Sequence, residues 1–155
     1  MSTTTPTATS PVTESRGIGT TVYSILSAVA VALIVVQVFV AGGGLFTMAH
    51  QLDDSKAYTP SQWNNSVYWG IHFFNALLIA VVILAMVVTA FAAKLSSQTK
   101  RMTGILLGLL VLQGILGFIP WPAPVSALHV LNAFAMLALA GTLARMNWAF
   151  GRRPM

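Results

Sequence analysis

His72-Phe73-Phe74-Asn75-Ala76 and His129-Val130-Leu131-Asn132-Ala133 are two copies of one pattern, H-x-x-N-A, each set just inside a long apolar run. Reading outward from them, four such runs span about 23–41, 67–93, 102–118 and 126–146. Each is close to the roughly 20 residues that a helix needs to cross the hydrocarbon core. The whole chain of 155 residues is 56% hydrophobic and only 7% charged, outside the range of soluble globular domains. Backbone groups in lipid must pair within their own segment, so the runs read as helices. The fold expected is an all-α membrane protein, a four-transmembrane-helix bundle in up-down-up-down order. Residues 1–17, rich in Ser, Thr and Pro, read as a disordered tail, 18–148 as the transmembrane domain and 149–155 as a short basic tail.

The first and third runs also match. Leu33-Ile34-Val35-Val36-Gln37 stands against Leu109-Leu110-Val111-Leu112-Gln113, each followed by apolar residues and glycine. The bundle is therefore expected to be two repeated helical hairpins. Gln37 precedes His72 by 35 residues and Gln113 precedes His129 by 16, so the halves differ in the length of one connection. With alternating helix directions, the glutamines near the ends of the outgoing helices and the histidines near the starts of the returning ones share one layer. The second and fourth helices lie diagonally across such a bundle, so the two imidazoles can face each other. Asn75 and Asn132, at i+3, sit on the same helical face one turn deeper.

Orientation follows from the cations. Arg16, Lys94, Lys100, Arg101, Arg145, Arg152 and Arg153 flank one side of the spans, whereas Lys56 accompanies Asp53 and Asp54 on the other. Positive flanks are retained inside, so both termini are expected to be cytoplasmic. A net charge of +5 dispersed in this way forms no stripe that could follow a phosphate backbone, and no nucleic-acid partner is expected. The first run is longer than the roughly 7–15 apolar residues of a signal peptide and is read as a span. No nucleophile elbow, metalloprotease helix, phosphate loop or dinucleotide fingerprint occurs.

The chain has no cysteine, which removes thiolate metal sites and covalent haem attachment. Polar side chains within hydrocarbon are costly and usually face a site in the bundle interior. Two opposed imidazoles suit iron porphyrin, each supplying one axial nitrogen to a non-covalent haem b. The candidate ligands are His72 and His129. Gln37, Gln113, Asn75 and Asn132 are candidates for orienting the rings or binding propionates, with Trp63, Trp69, Trp121, Lys56 and His50 near the outer surface. Glycines 42–44, 108, 114 and 117 would admit a flat macrocycle, while Gly104-x-x-x-Gly108 reads as a helix-packing motif. His50, in the outer loop beside Met48, is not taken as a ligand.

Leu112-Gln113-Gly114 before a turn and His129 after it, with the matching Gln37 and His72, resembles the haem A synthase family. Its members have eight helices in two four-helix bundles, each with a histidine pair for haem. The resemblance covers the four spans here, one such bundle, and implies haem between His72 and His129. In the family's catalytic half a glutamate precedes the first histidine by three residues and an arginine follows it; Trp69 and Phe73 occupy those positions here. The chain is also similar to small bacterial four-helix membrane proteins, which implies a bacterial plasma-membrane location.

Two functions are expected to compete. The first is a bis-histidine membrane cytochrome b near the outer face, passing electrons between a quinol or another redox partner and an acceptor, or handling haem. The second is a non-catalytic subunit of a membrane complex, respiratory for example, whose His/Gln/Asn layer only packs helices. Either can be oligomeric within the bilayer. A transporter fits less well, with no intramembrane carboxylate for ion coupling.

Overall fold

The computed structural model describes residues 17–53, 66–118 and 123–150. The N-terminal tail, Asp54, Lys56, Trp63, Trp121, Arg152 and Arg153 lie outside those residues. Four helices account for nearly all of the described chain: α1 (Ile18–Asp53), α2 (Val67–Ala92), α3 (Ser97–Phe118) and α4 (Ala123–Met146). All four are long and apolar enough to cross a membrane. Their outward faces carry large apolar side chains such as Phe39, Phe74, Val88 and Phe118, all strongly exposed and suited to lipid.

The helices close a ring. α1 packs on α2 and α4, and α3 packs on the same two, which leaves α1/α3 and α2/α4 as the diagonals. Directions follow from the contacts at each end. Gly19 meets Ala93, Tyr23 meets Thr103 and Ser24 accepts a bond from Ala149 N–H at one end. At the other end Gln37 meets Asn75 and Gln113 meets Asn132. Each helix therefore runs opposite to its two neighbours.

The first helix is longer than the span expected to end near Ala41. It has 36 residues, about 54 Å at 1.5 Å per residue, against a hydrocarbon core of about 30 Å. Gly42, Gly43 and Gly44 do not break it, and no described glycine adopts positive φ. Gly43 packs against Tyr68 at the start of α2, where an added Cβ would lie 2.9 Å from the ring Cε1. Thr47 Oγ1 donates back to Gly43 O at 2.9 Å, continuing the helical turn. His50, expected in a loop, is therefore in the last turn of a helix.

The connection between α2 and α3 is tight and fully capped. Lys94 takes φ 51, with Lys94 N–H donating to Phe91 O and Leu95 N–H to Ala90 O, both at 3.1 Å. That pair of bonds is the Schellman arrangement, which usually has glycine where Lys94 stands. Ser96 then caps α3, its Oγ accepting from Thr99 N–H at 3.2 Å. Ser66 does the same for α2 through Trp69 N–H.

The interior is layered. A buried apolar plug of Ala30, Ile34, Ile79, Ile83, Met86, Leu106, Met136 and Ala140 fills the middle. Polar side chains gather at its two ends. At the end where α1 begins, Tyr23 and Thr103 join the α1/α3 diagonal through their hydroxyls. Thr103 Oγ1 also donates to Thr99 O at 2.7 Å, Thr99 Oγ1 to Asn147 Oδ1 at 3.2 Å and Ser27 Oγ to Tyr23 O at 2.8 Å. The other polar layer is the candidate site, 14 residues and about 21 Å along α1 from Tyr23 to Gln37.

Candidate functional site

All six candidate residues come together in one layer. Gln37 sits near the middle of α1 and Asn75 about two turns into α2. Asn75 Nδ2 donates to Gln37 Oε1 at 2.6 Å and to Leu33 O at 2.9 Å. The second hairpin repeats this arrangement: Asn132 Nδ2 donates to Gln113 Oε1 at 2.6 Å and to Leu109 O at 2.9 Å. Each asparagine is buried. Both hydrogens of its amide are used, and that fixes the glutamine amide as well, with oxygen toward asparagine and nitrogen away from it.

The halves part company at the glutamine nitrogen. Gln37 Nε2 donates to the backbone carbonyl of His72 at 3.0 Å. Gln113 Nε2 instead meets the ring Nε2 of His129 at 3.0 Å. The amide nitrogen can only donate, so His129 Nε2 accepts and the ring hydrogen sits on Nδ1. Two positions beside the rings differ between the halves. Trp69 stacks on His72, with ring centres 6.0 Å apart and planes 15° apart, whereas the residue three before His129 is Ser126. Beside His129 stands Gly117, where an added Cβ would lie 3.0 Å from Cε1 and 3.3 Å from Nδ1. The matching position in α1 is Ala41, which carries a methyl group.

Across the α2/α4 diagonal the two imidazoles face each other, with ring centres 6.4 Å apart and planes at 40°. The Nδ1 atom of each is buried without a hydrogen-bond partner among the described residues. Leaving such an atom unpaired costs roughly 1–3 kcal/mol, which marks the layer as unusual among native polar groups. Two metal–imidazole bonds of about 2 Å, plus roughly 1 Å from each nitrogen to its ring centre, would set opposed rings about 6 Å apart. The 6.4 Å between centres is of that size, while Nε2 of His129 is turned to Gln113 and its Cε1–Nδ1 edge lies against Gly117. Among the described residues no group of three or more His, Cys, Asp or Glu gathers to hold a bare ion.

The glycines divide. Gly43 and Gly117 make the close approaches just described, and an added Cβ at Gly42 or Gly114 would meet nothing within 4 Å, leaving room at this level. Gly104 and Gly108 also meet nothing within 4 Å and are exposed, so the helix-packing role expected for them is not realised within the chain. Sequence reasoning passed over Trp69 as a neighbour of the ring and the whole Tyr23–Thr103 layer. The signal for that layer was the spacing of small polar residues, Tyr23 with Ser27 and Thr99 with Thr103, at i and i+4.

Comparison of the chain with protein-family models, with curated proteins and with solved structures finds no match.

Proposed function

We propose that this chain is a membrane b-type haem protein in which His72 and His129 are the residues that would hold the iron. The observation that carries the reading is the opposed imidazole pair, 6.4 Å between ring centres, set on α2 and α4 of two matched hairpins. Haem would supply one-electron chemistry or a ligand-binding iron. The residues of the chain do the rest: α2 and α4 present the rings, Asn75 and Asn132 hold the glutamines, and the apolar plug keeps water from the far side. In this reading both termini are cytoplasmic and the membrane is a bacterial plasma membrane, as the cation distribution and the haem A synthase-like motifs suggest. A quinol or a membrane redox protein is the class of partner in this reading, and self-association in the bilayer would use the exposed apolar faces.

A second reading, the structural subunit, is favoured by one observation: Asn75 and Asn132 each use both amide hydrogens to join the two helices of their own hairpin. The two readings separate on one measurement. Protein purified in mild detergent and supplied with haem is expected to give sharp b-type bands in the dithionite-reduced minus oxidised spectrum. The double variant His72→Ala/His129→Ala is expected to be colourless while still folded. A wild type that stays colourless, with the helical content intact, overturns the haem reading and leaves the structural subunit.

A further inference from the structure

Resting on the haem reading, we propose that the two axial positions are unequal: His72 is the permanent ligand, and His129 is an exchangeable one that Gln113 draws back, opening the position to a small neutral ligand.

The asymmetry is built into residues that differ between otherwise matched hairpins. In both, asparagine holds glutamine by the same two bonds at the same distances. Gln37 then spends its nitrogen on the His72 carbonyl and makes no claim on the ring, while Trp69 lies flat against that ring. An imidazole stacked in this way, with its backbone carbonyl tied to α1, is already positioned. Gln113 spends its nitrogen on the ring itself, occupying the Nε2 lone pair of His129 that a metal would need. Gly117 supplies the space in which the ring leans toward α3, since a methyl group there would press on Cε1 and Nδ1. Asn132 keeps Gln113 from turning its oxygen to the ring instead, because Gln113 Oε1 is already bonded.

His129 therefore has two competing partners for one lone pair, and His72 has one. When His129 lets go, its Nε2 returns to the Gln113 amide hydrogen and the entering molecule donates a lone pair of its own; one donor replaces another and no electron is transferred. An exchangeable ligand of this kind belongs to ligand binding or haem delivery rather than to a pure electron carrier, whose two ligands stay in place.

Carbon monoxide is the probe. The reduced, haem-loaded wild type is expected to bind it. Gln113→Leu, which frees the His129 lone pair, is expected to bind it about three- to eighteenfold more weakly, the range given by one intramembrane side-chain bond. His129→Ala is expected to keep its haem through gel filtration and to bind carbon monoxide, whereas His72→Ala loses its haem. A wild type indifferent to carbon monoxide, equal haem loss in the two single variants, or an unchanged affinity in Gln113→Leu overturns the proposal. Nitrogen-15 spectra of the haem-free protein give a readout that needs no haem. His129 is expected in the Nδ1–H form, and finding Nε2–H overturns the Gln113 latch even where haem binds. If His129 has the Nδ1–H form but no variant takes up haem, the haem reading itself has failed and this proposal falls with it.

Discussion

Replacing Asn75 or Asn132 with leucine removes the two bonds that tie the helices of each hairpin together at the site, while nearly conserving volume. Each asparagine donates at 2.6 Å to a glutamine oxygen and at 2.9 Å to a carbonyl of the neighbouring helix. Interhelical hydrogen bonds in membranes average about 0.6 kcal/mol and reach about 1.7. Two of them set the expected loss at about 1–3 kcal/mol per substitution. Because the distances agree between the halves, the two variants are expected to lose the same amount within about 0.5 kcal/mol. The asparagines share no hydrogen-bond partner, so the double variant should lose the sum. Equilibrium unfolding of the haem-free protein in mixed detergent and SDS micelles, followed by helical circular dichroism, measures all three. The local effects differ. In Asn132→Leu the Gln113 amide is free to turn its oxygen toward His129, and the ring hydrogen moves to Nε2; in Asn75→Leu the His129 ring keeps its hydrogen on Nδ1. Losses below about 0.3 kcal/mol in both variants would refute the reasoning that these amides hold the hairpins. A loss confined to one half would refute the equivalence inferred from geometry.

Gly117→Ala should press a methyl group onto His129 and destabilise the haem-free protein by about 1 kcal/mol, seen in the same SDS titration, since overpacking costs about 1–3 kcal/mol and a ring tip can yield. Tyr23→Phe removes the hydroxyl bonded to Thr103 and should cost about 1 kcal/mol without altering any haem spectrum, because the two polar layers stand about 21 Å apart along α1. Lys94→Gly relieves a left-handed residue and should stabilise the protein by about 0.5 kcal/mol, the relief of about 1 kcal/mol being offset partly by a more flexible unfolded chain. An unchanged or lower thermal midpoint for that variant would show that the Lys94 side chain contributes more than its backbone strain.

The number of helices was legible in the sequence because lipid demands length and low charge, and both can be counted along a chain. So was the repeat, since Gln37, His72, Asn75 and their counterparts are polar residues in apolar runs. Which face of each helix turns inward was not legible. A residue facing lipid and one facing a neighbouring helix are equally apolar, so the periodicity that marks the core face of a soluble helix is nearly absent. Gly104 and Gly108 illustrate it: their spacing suits a packing surface, yet the rotation of α3 turns them outward, while Gly117 meets His129. The continuation of α1 to Asp53, past the end expected near Ala41, was hidden for a related reason, because Tyr68, which packs on Gly43, comes from another helix. The tertiary structure also decided how the two glutamines differ. Their local sequences match, and the choice between a carbonyl and an imidazole is made against histidines 35 and 16 residues beyond the glutamines, with Trp69 beside one ring and Gly117 beside the other. Composition can put polar groups at one depth in a bilayer; only packing decides which lone pair each of them takes.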